Sequence, residues 1–105
     1  MNDIDKYLEF THQTAIYKGA GTGNDDELNY LTHGLTSEAG EVAGKVKKFL
    51  RDDQLDLDKF RQELGDCFWY LVRLCLWSGV QPSQILEMNS DKLAKRLLKN
   101  TIKGS

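Results

Sequence analysis

Apolar residues recur at three- and four-residue steps along almost all of this chain, which contains a single proline, and that periodicity predicts helices throughout. Strand-like alternation is nearly absent. Four helical segments are expected. The first runs from about Asp3 to Lys18 and gives way to a Gly/Asp-rich loop at about 19–26, a lid or merely a connector. The second spans about Glu27 to Arg51, carrying Leu28, Leu31, Leu35, Val42, Val46 and Phe49 on its apolar side. Asp52-Asp53-Gln54 breaks that pattern. A third helix begins near Leu57 and continues to Ser78, with Gly79 placed as a left-handed C′ residue. Pro82 suits the first turn of a fourth helix reaching about Asn100, followed by a fraying tail at about 101–105. The short break after Arg51 predicts that the third helix folds back along the second.

A chain of 105 residues reads as one all-α domain, a four-helix-bundle subunit covering 1–105. A helical unit of this size buries only about two-thirds of its unfolded surface, so association with a second copy would help it. The third helix strengthens that expectation. After Cys67 it carries Phe68, Trp69, Leu71, Val72, Leu74, Leu76 and Trp77, apolar nearly all round, and such a helix needs cover on every side. A homodimer or tetramer is therefore expected. The formal net charge of −2, with no long basic stripe, argues against a nucleic-acid partner. No stretch approaches the roughly 18 apolar residues that span a bilayer, and the start Met1-Asn2-Asp3-Ile4-Asp5-Lys6 lacks the form of a signal peptide. Cys67 and Cys75, eight residues apart on one helix, are about 12 Å apart and cannot form a disulfide. They read as small buried hydrophobes in a reducing, cytoplasmic setting.

Two carboxylate pairs carry the chemistry. Glu38-Ala39-Gly40-Glu41 and Glu63-Leu64-Gly65-Asp66 each have the i, i+3 spacing that puts both acids on one helix face. Glu38 falls within the apolar stripe of its helix, where a carboxylate costs several kcal/mol unless paired or bound to metal. Glu63 borders the stripe of Phe60, Leu64, Cys67, Leu71 and Cys75. Four oxygen ligands without a His or Cys at ligand spacing favour Mg²⁺, with Mn²⁺ as the alternative, over zinc or iron. The competing reading is a set of surface acids paired with cations, which suits Glu41 best because Lys45 lies at i+4. A di-iron bundle takes a Glu-x-x-His motif from each of two helices; Glu9 precedes His12 at that spacing but no Glu precedes His33, so the paired di-iron pattern is missing.

On the fourth helix Asn89, Lys92 and Arg96 lie within roughly 60° of one another, an amide and two cations suited to phosphate oxygens or, alternatively, a solvated face. Leu86, Leu93 and Leu97 occupy the neighbouring face and are expected to pack inward. In the first helix Phe10, Thr14 and Tyr17 share a flank that can stack on and hydrogen-bond a base, or simply fill the core.

Taken together, Gly34-Leu35-Thr36-Ser37-Glu38-Ala39-Gly40-Glu41-Val42-Ala43, Glu63-Leu64-Gly65-Asp66-Cys67-Phe68-Trp69-Tyr70-Leu71, the Asn89/Lys92/Arg96 element and the Phe10-to-Tyr17 segment resemble the MazG-like nucleotide pyrophosphohydrolases of the all-α NTP pyrophosphatase superfamily. Ser37 stands where many members carry an additional acid. The resemblance implies Mg²⁺-dependent cleavage of a (deoxy)nucleoside triphosphate to the monophosphate and pyrophosphate, a housekeeping task of the nucleotide pool. It implies Glu38, Glu41, Glu63 and Asp66 as metal ligands, with Glu38 or Glu41 as base. Lys92 and Arg96 would offset phosphate charge, Asn89 would orient sugar or phosphate, and Lys45 and Lys48 are weaker candidates for the same work. The alternative is a non-catalytic helical interaction or nucleotide-binding module, motivated by Trp69 and Trp77, read as exposed, and by Ser37.

Overall fold

The computed structural model describes residues 2–99, so the expected fraying of 101–105 lies outside the described residues. Four helices follow in order: α1 (Asp3–Thr11), α2 (Asp25–Asp52), α3 (Leu57–Trp77) and α4 (Pro82–Leu98). The periodicity is thus borne out as an all-α chain. α2, at 28 residues, is about 42 Å long. Its C-cap Asp53 adopts a left-handed φ of 58° and returns its N–H to Phe49 O at 2.7 Å. Asp56 then accepts from Lys59 N to start α3. The two helices run antiparallel: Trp77 meets Asn24, Tyr70 meets Tyr30, and Glu63 meets Glu38. Gly79 takes a φ of 91° just beyond the α3 cap, as its placement at C′ predicts.

The first helix is shorter than its sequence periodicity suggests. It ends at Thr11 rather than near Lys18, because the Thr11 hydroxyl donates to Leu8 O (2.6 Å) and the Thr14 hydroxyl to Thr11 O (3.1 Å), while the His12, Gln13 and Thr14 N–H groups tighten into i→i−3 bonds. The connection from 12 to 24 is anchored to α2. Buried Glu27 accepts from the Tyr17 hydroxyl (2.6 Å) and from the N–H groups of Gly21 (2.6 Å) and Gly23 (3.0 Å). Burial works to raise its carboxyl, but those donors, helped by Arg73, outweigh it and hold the group below the ordinary 4.5.

Arg73 corrects the reading of α3 as apolar nearly all round. It is only 3% exposed, donates from Nη1 to His12 Nδ1 (2.8 Å) and Thr11 Oγ1 (3.3 Å), and leaves its Nε without a partner. One buried cation therefore ties the end of α1 to α3. At the other end of α1, Asp5 accepts from Ser83 N (3.0 Å) and Ser83 Oγ (2.6 Å), which caps the start of α4. The Ser83 bonds hold the Asp5 carboxyl below its usual range against the opposing effect of burial.

α3 is the central element, with α2 along one side and α1 and α4 on the other; α2 touches neither α1 nor α4. The fully covered apolar set is small: Leu8, Leu31 and Val72. Val46, Phe49 and Leu50 on α2, Leu64, Phe68 and Leu71 on α3, and Ile85, Leu86 and Met88 on α4 remain exposed. Leu86 and Leu97 were expected to pack inward; they are 54% and 71% exposed, Leu86 at the rim of a shallow groove shared with Ile4 and Phe68, and Leu93 is half-buried. The radius of gyration is 16.3 Å, against about 13 Å for a closed chain of this length. Cys67 and Cys75 are free and half-buried rather than fully buried.

The Glu27 anchor yields a direct test. Glu27→Ala should lower the unfolding free energy by about 3 kcal/mol in urea titrations followed by tryptophan fluorescence, since it strands three donors and the nearby buried Arg73. A loss below about 0.5 kcal/mol would show that the connector does not depend on this carboxylate.

Candidate active site

Three of the four acids come together where α2 crosses α3. Glu38, Glu63 and Asp66 each offer a carboxylate oxygen, all within 4.8 Å of one another, with Glu38 and Glu63 half-buried and Asp66 exposed. Like charges at this separation cannot all remain ionised without a counter-charge. The Glu38 carboxyl is pushed up to about 7, first by a hydrogen bond shared with Glu63, then by burial and the charges of Asp66, Glu63 and Glu41. Burial, and then the Glu63 charge, also raises Asp66 above its usual range. A divalent cation would supply the missing positive charge, and an all-oxygen set suits a hard one. These residues fit such an ion.

Glu41 is exposed and outside the three-acid cluster, near enough for its charge to act on Glu38. Lys45, one turn further along α2, is half-buried. The Glu41–Lys45 ion pair that their spacing allows is not formed; among the described residues the salt bridge is Arg51–Asp52 (2.7 Å), at the surface. His12 and His33 take no part in the cluster. His12 accepts from Arg73, and His33 Nδ1 is 2.8 Å from Asn29 O.

Beside the acids opens a cavity of about 310 Å³ lined by Tyr30, Glu38, Asp66, Trp69 and Tyr70. Its aromatic wall is braced from behind. Trp69 Nε1 donates to Thr14 Oγ1 (2.7 Å), and Tyr17 stacks on Tyr30 with centroids 4.6 Å apart and meets Trp69 edge-on at 5.9 Å. Thr14 and Tyr17 thus support the cavity from its outer side, while Phe10 stacks on Tyr7 at 6.5 Å. Burial, then a hydrogen bond with Tyr30, pushes the Tyr70 hydroxyl up to about 12, so it stays a neutral donor. Asn89 and Lys92 are exposed and Arg96 half-buried on α4, the helix that packs on α1 and α3 and not on α2. None of the three lines the cavity.

Tyr30 and Tyr70 are wall residues to which the sequence assigned no role in the site, although Tyr70 falls within the second acidic motif. The signal was present in spacing: Tyr30 stands two turns before Glu38, and Tyr70 one turn after Asp66. Trp69 and Trp77, expected to be exposed, are half-buried, and Trp77 Nε1 donates to Asn24 O at 2.8 Å.

An all-helical chain that gathers acids from two antiparallel helices beside an aromatic cavity is the arrangement the family resemblance calls for. Residues 27–99 match the model of the MazG nucleotide pyrophosphohydrolase domain, and the chain belongs to that family. Over 108 residues it is 42% identical to the Gene 37 protein of Mycobacterium phage L5, covering 97% of this chain and 95% of that protein. No solved structure matches.

The acid cluster gives a signed pH prediction. Because the folded Glu38 carboxyl titrates near 7 and its unfolded counterpart near 4.5, the folded state holds more protons between those values, so its stability falls as pH rises through that window. Metal-free protein should therefore melt at a lower temperature at pH 8 than at pH 5.5, and Glu38→Gln should flatten that slope. Added Mn²⁺ should raise the melting temperature more at pH 8 than at pH 5.5. A metal-free melting temperature that climbs across the same interval, or an equal Mn²⁺ effect at both pH values, would contradict the assigned cluster.

Proposed function

We propose that this chain is a Mg²⁺-dependent nucleoside triphosphate pyrophosphohydrolase that converts a (d)NTP to the (d)NMP and pyrophosphate in the cytoplasm, as nucleotide-pool housekeeping. The family assignment supports the reaction class. The observation that carries the reading is the meeting of Glu38, Glu63 and Asp66 next to the aromatic cavity. Bound there, the cation would neutralise triphosphate oxygens and lower the pKa of a coordinated water.

The chain's own groups have separable roles in this reading. Glu38, Glu63 and Asp66 hold the cation, and Glu41 completes the set from the exposed side. Of the two acids considered as base, Glu41 is the better placed to take the proton of the attacking water, because it lies outside the mutually bonded cluster. Lys45 stands on the same side of α2 to meet phosphate charge. Asn89, Lys92 and Arg96 complete the proposed phosphate-binding set from α4. Phe10, Thr14 and Tyr17 act on the base side, Thr14 and Tyr17 by bracing Trp69 and Tyr30.

Of the features that motivated the competing interaction-module reading, Trp69 and Trp77 both donate their indole N–H groups within the chain. Among the described residues no helix is long and apolar enough to cross a membrane.

With Mg²⁺ and a panel of natural and oxidised nucleotides, the purified protein should release pyrophosphate rather than phosphate. Glu38→Gln and Asp66→Asn should each lower kcat/KM by about a hundredfold or more. Absence of turnover across the panel at micromolar enzyme, or full activity in EDTA, would refute the assignment.

Self-association belongs to the same proposal. The exposed apolar residues of α2, α3 and α4 and the open shape of one chain support a homodimer or tetramer. Light scattering coupled to gel filtration should give twice or four times 12.0 kDa, and a monomer at 100 µM would contradict it.

A further inference from the structure

Tyr30, Gly34 and Glu38 are spaced by four residues and so form one row on the face of α2 that looks onto α3. The outer two line the cavity. The middle one has no side chain, and its reason is visible. A Cβ added at Gly34 would fall on the ring of Tyr70, with Cε1, Cζ and Cδ1 as its nearest atoms. At the other glycines inside helices, Gly40, Gly44 and Gly65, an added Cβ meets nothing. Gly34 is thus the one helical glycine among the described residues whose missing side chain admits a close approach.

The Tyr70 ring has little freedom to yield. Tyr30 flanks it at 6.2 Å and Trp69 meets it edge-on at 5.0 Å, with the α2 backbone behind it at Gly34. The side left open is the cavity. A methyl group at position 34 therefore overlaps the ring, and the ring or the two helices must shift to admit it, with the cavity that Tyr70 lines as the open side.

We propose that Gly34 is a specificity-determining residue of this site: it lets Tyr70 stand back against α2, and the space so created receives the planar base of the nucleotide. The inference rests on the nucleotide reading above and adds which contact sets the room for the base. It separates two parts of one ligand. The base depends on the Gly34–Tyr70 contact, whereas the phosphates depend on Glu38, Glu63 and Asp66.

The test uses two probes with Mg²⁺ in calorimetric titrations of the full chain: α,β-imido deoxynucleoside triphosphates of the four common bases, and inorganic tripolyphosphate, which has phosphates and no base. Gly34→Ala should weaken the tightest-binding imido nucleotide by about tenfold or more, the range of one lost base–aromatic stack, and leave tripolyphosphate within about twofold. In a Tyr70→Ala background, where the ring is gone, Gly34→Ala should cause no further loss. Tyr70→Ala alone should weaken the nucleotide and spare tripolyphosphate, which keeps the inference testable should Gly34→Ala fold poorly. Equal weakening of both probes, or of neither, overturns it. A wild-type protein that binds tripolyphosphate as well as any imido nucleotide also overturns it while sparing the metal site; one that binds neither probe overturns the nucleotide reading underneath.

Discussion

Mutual repulsion among Glu38, Glu63 and Asp66 is the constraint on which the rest of this molecule turns. Three carboxylates held within 4.8 Å oppose the α2–α3 packing that brings them together unless a proton or a cation intervenes. A hydrogen bond with Glu63, burial and the neighbouring acidic charges push the Glu38 carboxyl up to about 7. A fold that keeps such a cluster at its central helix crossing offers a candidate site for a divalent cation. The same crossing positions Tyr30 and Tyr70, so cation and cavity are products of one helix pairing.

That pairing is held by buried apolar and buried polar groups side by side, at the end where α2 starts and α3 finishes. Leu31 and Val72 are covered, but Glu27 and Arg73 are covered too. Glu27 fixes the 12–24 connector through Tyr17, Gly21 and Gly23, while Arg73 fixes the end of α1 through Thr11 and His12. Through Thr14 and Tyr17 the same connector reaches the back of Trp69 and Tyr30. A segment read from the sequence as the end of a helix followed by a lid or connector thus serves as the outer support of the aromatic wall.

The parts of this arrangement that were legible in the sequence are those governed by local rules. Helix bounds for α2, α3 and α4 follow from spacing, caps and Pro82, and the i, i+3 acid pairs put carboxylates on the faces that meet. What escaped depends on contacts distant along the chain. α1 stops early because threonine hydroxyls compete for its carbonyls and Arg73, some sixty residues on, holds the turn. Arg73 itself was hidden in an apolar run, where one cation reads as an interruption rather than a partner. Glu41 shows the limit of spacing: it shares a helix face with Glu38, yet only Glu38 meets Glu63 and Asp66. The Gly34–Tyr70 approach could not be seen before both helices were in place.

Every role proposed for the site depends on where a cation binds. A crystal structure grown with Mn²⁺, with anomalous difference density collected at the manganese edge, tests this most directly. The expected result is a peak about 2.2 Å from oxygens of Glu38, Glu63 and Asp66. Strong anomalous density elsewhere on the chain, with those three carboxylates free of it at saturating Mn²⁺, would contradict the central claim.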